Sequence, residues 1–495
     1  MNFTRRSFLK TAALGAATTA FSARSWAQVA GANGDIRAAV VGVNSRGRQH
    51  IQQLRAIPGV RIVAICDVDQ RVLDRVGGEL AKRGTTVEKF TDYRKMLEMP
   101  GLDVVTLATP NHWHALGGIW AMQAGKDVLV EKPVSHNVWE GRQLAAAVRK
   151  YNRVAQAGTQ SRSSQGVIDA VAWVRAGHLG KITASRGFCY KRRDSIGKTT
   201  GPTPVPASID YDLWSGPAPL VEPHRNSPKN GPVHYDWHWF WAYGNGDVAN
   251  QGVHQMDIAR WFLGEPGLPR HTWSVGGRLG YDDDGETPNT HAVIHDYATA
   301  PLIFEVRGLP AKPGAATAGP NASTGTMDKY RGISIGNVVD CEGGYVVIDG
   351  NATARAFDRA GRVLKEFTCD DRLMANFIDG VRRRKTAGLF APIEECHVSS
   401  AICHLANISH RLGRVTPSDQ LRAEIKNDAP LAEAVGRMTE HLAANDVDLG
   451  KTPLTLGQPL TVDPKAERLT GPGADAANRM LTRDYRAPFI VPKIT

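Results

Sequence analysis

Apolar positions set the first pattern. Residues 36–41 (Ile-Arg-Ala-Ala-Val-Val) form a short, almost continuous apolar run, as does 60–65. Further runs lie at 103–108, 127–130 and 154–157. Runs of this length without alternation suit parallel strands buried on both faces. Between them, stretches ending at Leu54 and spanning 70–82, 115–124 and 139–151 repeat apolar residues every three or four positions, which predicts helices. Gly125 follows the third of these, in the position that ends helices. Strand and helix in alternation imply a doubly wound parallel α/β sheet, a Rossmann domain, over 35–158.

Beyond Gly158 the pattern changes. Residues 163–176 read as a helix, and 182–190 alternate like a strand of a more exposed sheet. Residues 191–245 are rich in Pro, Gly, Trp and His and predict loops. A helix is expected over 249–263. Short alternating strands fill 270–365, interrupted by a Gly/Ala/Pro loop at 309–325, before helices at 371–384 and 394–412. Residues 159–430 therefore predict an α+β domain with a mostly antiparallel open sheet. Residues 431–495 are expected to be an extended C-terminal tail. An open sheet face also predicts a homo-oligomer.

Composition narrows the class. The 495 residues include 60 Lys+Arg and 49 Asp+Glu, a net charge of +11. Hydrophobic residues make up 42%, which excludes global disorder. No stretch holds 18 uncharged apolar residues, so no membrane-spanning helix or membrane anchor is expected. Residues 1–27 carry a twin-arginine pattern, Thr4-Arg5-Arg6-Ser7-Phe8-Leu9-Lys10. A mildly apolar run and Ser25-Trp26-Ala27 follow, the small residues that precede a cleavage site. This predicts folded export by the twin-arginine machinery to a periplasmic or secreted location. The segment holds Arg5, Arg6, Lys10 and Arg24 and no acid, so four of the eleven charges leave with it. Arg382-Arg383-Arg384-Lys385 closes a helix, where cations favour the dipole. No nucleic-acid partner is expected.

The chemistry begins at the first β–α turn. Gly42-Val43-Asn44-Ser45-Arg46-Gly47 has the form of a dinucleotide loop with Asn44 in place of the middle glycine. Gly42 permits the tight turn, and Gly47 lets helix and strand pack closely. Asn tolerates left-handed backbone angles better than most residues. The helix start that follows presents N–H groups to a pyrophosphate. Asp67, 20 residues past Gly47, ends the second strand where a carboxylate binds ribose hydroxyls, favouring NAD over NADP.

These motifs, with Cys66-Asp67-Val68-Asp69, Thr109-Pro110-Asn111-His112 and above all Glu131-Lys132-Pro133, resemble the Gfo/Idh/MocA family, which includes glucose–fructose oxidoreductase and inositol dehydrogenase. The run Gly246-Asp247-Val248-Ala249-Asn250-Gln251-Gly252-Val253-His254 resembles its second-domain helix. The resemblance implies Lys132 as catalytic lysine, His254 as proton-transfer residue and Glu131 as a ligand of the nicotinamide-side ribose. It also implies a Lys132–Pro133 bond that is often cis in the family. The cofactor set expected is Gly42, Asn44, Ser45, Arg46, Gly47, Asp67, Thr109, Pro110, Asn111, His112, Glu131, Lys132 and Gln160. Many members carry an Asp four residues before the histidine. Here that position is Asn250, with Asp257 or Asp247 as possible substitutes.

On the substrate side, the aromatic run from His234 to Tyr243 suits a sugar ring, with its apolar faces and polar edges, or else buries its own loop. Tyr190, Lys191, Trp237, His238, Asn250 and Asp257 are the substrate candidates. Cys396-His397 and Cys403-His404 repeat seven apart, which matches no usual zinc spacing, so no metal is expected. Three functions are expected in turn. The first is an NAD-dependent oxidoreductase acting on a secondary alcohol of a carbohydrate, with a tightly retained cofactor. The second is a redox-neutral NAD-dependent glycosidase working through a transient keto-sugar. The third is a non-catalytic sugar- or NAD-binding protein.

Overall fold

The computed structural model describes residues 34–313, 326–350 and 353–495. The expected export segment and most of the 309–325 loop lie outside them. In chain order the first elements are β1 (Ile36–Val41), α1 (Arg46–Arg55), β2 (Val60–Cys66), α2 (Gln70–Lys82), β3 (Glu88–Phe90), α3 (Tyr93–Leu97) and β4 (Val104–Leu107). The next are α4 (Asn111–Gln123), β5 (Asp127–Val130), α5 (Val138–Tyr151) and β6 (Ala155–Ala157). Their strands form a six-stranded sheet in the order β3-β2-β1-β4-β5-β6, and the pairs β1–β2, β2–β3 and β5–β6 are parallel. The order reverses between β1 and β4, the arrangement that places a ligand at the carboxyl ends of the strands.

Two elements escaped the periodicity. β3 has three residues and α3 five, too few to show a period. Helix α4 begins at Asn111, four residues before the expected start. Pro110, at φ −60°, precedes it as the N-cap, where a missing N–H costs nothing.

Contacts within the chain divide it into two compact units, Met1–Thr106 and Leu107–Thr495, a line that falls inside β4. The reason lies in what α5 and β6 pack against. Val134 N–H donates to Ser400 Oγ at 3.1 Å. Trp139 N–H donates to the Leu481 carbonyl, and Ala157 N–H to the Ala391 carbonyl. These bonds tie the later Rossmann elements to the C-terminal half.

The second unit continues with α6 (Gln165–Arg175), β7 (Ile182–Tyr190), α7 (Tyr211–Ser215), α8 (Gly246–Asn250), α9 (Gly252–Leu263), β8 (His271–Gly277), β9 (Thr290–Asp296) and β10 (Leu302–Arg307). Then come β11 (Ile335–Cys341), β12 (Gly344–Asp349), β13 (Thr353–Asp358), β14 (Val363–Thr368), α10 (Leu373–Arg383), α11 (Ile393–Arg411), β15 (Arg414–Val415), α12 (Ser418–Ile425) and α13 (Ala429–Ala444). The chain closes through β16 (Thr455–Leu456), β17 (Leu460–Asp463), β18 (Arg468–Thr470) and α14 (Ala474–Arg479). A 12-stranded sheet runs β14-β13-β12-β11-β7-β10-β9-β8-β16-β15, with β17 and β18 beyond β8. Among the described residues only its pair β7–β10 is parallel.

β7 lies at the centre of that sheet, and its last seven residues are all buried. Its polar residues are therefore interior partners, not a solvent face, which corrects the expectation of an exposed strand. One face of the sheet packs on α9 and α11 through Val253, Met256, Phe304, Ile402 and Leu405. On another part of the sheet Leu431, Val435, Met438 and Leu442 of α13 join Val275, Ala292, Ile294 and Ile303 in one core. Residues 431–495 are thus not an extended tail. Their apolar residues at helical spacing form α13, and β16 and β17 extend the sheet beside β8. The open face expected to drive self-association is closed over β8–β10 by α13 of the same chain.

Candidate functional site

In the first unit the glycine loop is built by backbone. Gly42 lies at φ +78°, and its N–H donates to the Cys66 carbonyl at 2.8 Å. A Cβ added to Gly47 would meet the Gly42 carbonyl oxygen at 2.1 Å, so only glycine permits this approach of α1 to the loop. Asp67 accepts the Val43 N–H at 2.9 Å and the Asp69 N–H at 3.1 Å. It thereby joins the ends of β1 and β2. A carboxylate has capacity for further donors, so these bonds are compatible with ribose binding. Ser45 makes no side-chain cap bond at the start of α1, which suits an incoming pyrophosphate. Asn44 is not in the left-handed region; Gly42 takes that conformation. Instead the Asn44 amide oxygen accepts from Arg75 Nη2 at 2.6 Å. Arg46 bonds Gln49.

In the second unit the loop after β4 is a brace. Asn111 Nδ2 donates to Asn245 Oδ1 at 3.0 Å. His112 is fully buried, with Nε2 2.9 Å from the Trp214 carbonyl and Nδ1 3.4 Å from the Tyr243 carbonyl. Burial holds its pKa down to about 3. Both side chains anchor distant loop segments. Thr109 and Pro110 are half-buried at the mouth of this turn.

His114 was not anticipated. One ring nitrogen lies 2.5 Å from the Pro133 carbonyl and the other 2.8 Å from the Thr109 carbonyl. Burial lowers its pKa, and the neutral ring donates to one carbonyl at a time. It positions the loop that carries Lys132. A histidine three residues into a helix gives no sign of this from sequence.

Glu131 is buried, and its carboxylate accepts the Lys132 N–H at 3.2 Å and Gln160 Nε2 at 3.4 Å. A Cβ on Gly158 would come within 2.6 Å of that carboxylate. The Lys132–Pro133 bond is cis. Lys132 Nζ donates to the Asn250 backbone carbonyl at 2.5 Å. That carbonyl is exposed by a break in the expected 249–263 helix, which divides at Gln251. His254 N–H reaches the Gln251 carbonyl at 3.2 Å in place of a continuous turn. So Asn250 serves Lys132 through its backbone, four residues before His254.

Around the break lie three more groups. Asp247 is buried and accepts both Arg193 Nε at 2.7 Å and Nη2 at 2.5 Å. Its amide neighbour Asn250 Nδ2 reaches it at 3.4 Å. Lys191 Nζ donates to Gln251 Oε1 at 3.3 Å. His238 stacks on Trp237 with ring centroids 3.6 Å apart. Burial, with Lys132 and Arg193 nearby, brings the His238 pKa down to about 3. Its Nδ1 lies 2.5 Å from the Tyr235 carbonyl, which requires Nδ1–H and leaves Nε2 an acceptor.

Two substrate candidates are not open to a ligand. Tyr190 is buried and its hydroxyl donates to Glu305 at 2.7 Å, beneath Arg307. Successive strand residues point to opposite faces, so Tyr190 and Lys191 do not share a site. Asp257 is fully buried and takes both Arg162 Nε at 2.7 and 3.0 Å and Ser399 Oγ at 2.5 Å. It neutralises a core arginine and does not replace the missing Asp beside His254. Much of the aromatic loop is also interior. Arg225 is enclosed by Trp214, Phe240 and Tyr243 at 5.1–5.3 Å. Cys396, His397, Cys403 and His404 lie buried in α11, and His397 pairs with Glu467 at 3.0 Å. All six cysteines are free thiols.

In the first unit a glycine loop closes β1 and an acid closes β2, the parts of a dinucleotide-binding α/β domain, and in the second unit a lysine lies on the loop after β5. Residues 36–159 match the family model described as the NAD-binding Rossmann fold of the Gfo/Idh/MocA oxidoreductases, and residues 168–271 match its C-terminal alpha/beta domain. The chain belongs to the Gfo/Idh/MocA oxidoreductase family. Among curated relatives, a glycosyl hydrolase family 109 protein of Parabacteroides distasonis is 29% identical over 287 residues, covering 52% of this chain and 59% of the relative. The scyllo-inositol 2-dehydrogenase (NAD(+)) of Bacillus subtilis is 30% identical over 155 residues, 31% of this chain and 44% of the relative. The matches thus span 59% and 44% of the length of these two relatives. Among solved structures, the WlbA dehydrogenase of Bordetella pertussis with NADH and UDP-GlcNAcA superposes with TM-score 0.54 at 17% identity, covering 76% of this chain and 97% of that one. Levoglucosan dehydrogenase with NADH and levoglucosan gives 0.53 at 17%, covering 75% and 97%. At this identity the likeness is one of fold.

Proposed function

We propose that this protein is an NAD-dependent oxidoreductase acting on a secondary alcohol of a carbohydrate. The observation that carries the proposal is the Lys132 ammonium held on the Asn250 carbonyl at the helix break, four residues before His254. Gly42, Gly47 and Asp67 in the first unit are the residues that would hold NAD. When bound, NAD supplies the hydride acceptor. His254 takes the hydroxyl proton as the C–H hydride leaves, and Lys132 stabilises the charge developing on oxygen. His238 Nε2 accepts from a second hydroxyl and orients the ring.

A second reading rests on the glycosyl hydrolase family 109 relatives. There the alcohol is oxidised transiently, the neighbouring C–H is acidified, the glycosidic group is eliminated, water adds and the carbonyl is reduced again. Net redox change is zero. Purified protein would be incubated with sugars and aryl glycosides. A rise in A340 supports the oxidoreductase, and aglycone release without lasting A340 change supports the glycosidase. Absence of both, with no NAD released on denaturation, returns the protein to a simple binder.

Export is part of the proposal. The Arg5-Arg6 pattern marks a twin-arginine route to the periplasm, where free NAD is scarce and a cofactor must be retained. Replacing both arginines with lysine and fractionating cells tests it; retention in the cytoplasm is expected. Association of copies is proposed through the sheet edge at β14, where Val363 and Leu364 are about half exposed. Light scattering at twice the mass of one chain or more supports this, and the mass of one chain opposes it.

A further inference from the structure

The cluster beside Lys132 carries more positive charge than proton transfer requires. Lys191 follows the end of β7, half-buried, and its ammonium has a neutral acceptor, Gln251 Oε1 at 3.3 Å. Among the described residues it meets no carboxylate within ion-pair distance. The acids in the neighbourhood are already engaged. Asp247 is taken by both prongs of Arg193, and Glu131 by Gln160 and the Lys132 N–H. Burial first, and then the nearby Arg193 cation, push the Lys191 pKa below the usual lysine value. Its position is defined by sequence-adjacent anchors. Lys132 is held by the Asn250 carbonyl and Lys191 by the Gln251 side chain, so two ammonium groups flank the same break in the helix.

A partly desolvated cation with only a neutral partner is unfavourable unless something else offsets the lost hydration. A surface lysine would turn to water; this one is turned toward the residues of the proposed site. The opposite strand-face residue, Tyr190, shows what a settled arrangement looks like in this sheet. There Arg307 and Arg437 meet Glu305 directly.

We propose that Lys191 binds an anionic substituent of the substrate, so that the natural substrate is a sugar acid or a sugar phosphate and not a neutral sugar. This rests on the function proposed above and narrows it. Lys132 then serves the reacting hydroxyl while Lys191 fixes the charged group, and the spacing of the two sets which hydroxyl reacts.

The test is isothermal titration of the NAD-loaded protein with glucose, galactose and mannose, with their uronates, and with their 6-phosphates. At least one acid is expected to bind about ten-fold or more tightly than its neutral parent. Lys191→Met should reduce that preference to within about two-fold, while Lys191→Arg keeps most of it. NAD content and melting temperature of both variants serve as the check on folding. Preference for the uronate identifies a carboxylate, and for the 6-phosphate a phosphate. Neutral sugars binding as tightly as both acids, or a preference that survives Lys191→Met, overturns the inference and leaves the sugar oxidoreductase standing. Binding of none of the nine overturns both.

Discussion

The glycine loop and the Lys132 cluster are built by different means. The loop in the first unit uses main chain: a glycine at positive φ, a second glycine against a carbonyl, and an acid bonded to two N–H groups. The cluster in the second unit uses side chains: Glu131 and Asp247 are buried, Lys132, Gln160, Lys191, Arg193 and His238 are half-buried, and each makes a hydrogen bond. A site made of backbone has few atoms that mutation can delete, and fails by steric intrusion. A site made of side chains fails one function at a time.

The largest effect should therefore come from the cluster. Lys132→Met and His254→Ala are each expected to lower kcat/KM by about 10²–10⁴-fold while NAD still co-purifies, measured by steady-state kinetics and by HPLC of released cofactor. Activity within a few-fold of the parent in both would remove these residues from the chemistry. Next, Asp257→Ala should destabilise by about 3–5 kcal/mol, because it strands Arg162 in the core. Urea unfolding would show this. KM is expected to stay unchanged, which separates a core acid from the site. Gly47→Ala should cost about 1–3 kcal/mol and also empty the protein of NAD, since the added methyl must displace the loop.

The smallest effect is set by pH. Burial opposes ionisation of Glu467, but His397 and Arg142 outweigh it and bring its pKa from the usual 4.5 down to about 2. A depressed carboxylate contributes fully above its unfolded pKa, and the contribution is lost as pH falls from about 4.5 to about 2. Glu467→Gln should flatten the acid side of the stability profile in that window, followed by unfolding midpoints against pH.

The two regions were also unequally visible in the sequence. A strand, a glycine turn and a helix are contiguous, so the loop and Asp67 could be read from spacing, as could β1 and α2 to the residue. The resemblance brought Lys132, Glu131 and His254, each from a local motif. Spacing could not reveal which face of a strand end looks into the site. Tyr190 and Lys191 are adjacent, yet one meets Glu305 in the interior and the other the helix break. Nor could it show that Asp257 belongs to Arg162, 95 residues away, or that His114 holds the carbonyls of Thr109 and Pro133. Helix propensity did not predict the break at Gln251, nor that Lys132, 118 residues away in the chain, meets the Asn250 carbonyl there. The aromatic loop reads like a sugar platform, but Arg225 draws much of it inward.

The central claim is redox chemistry on a carbohydrate at Lys132 and His254. Single-turnover absorbance tests it most directly: protein with its bound NAD is mixed with the preferred sugar and followed at 340 nm. An immediate rise is expected, stoichiometric with bound NAD for the oxidoreductase or transient for the glycosidase, and lost in Lys132→Met. No change at 340 nm while product accumulates, or an undiminished rise in the variant, would contradict it.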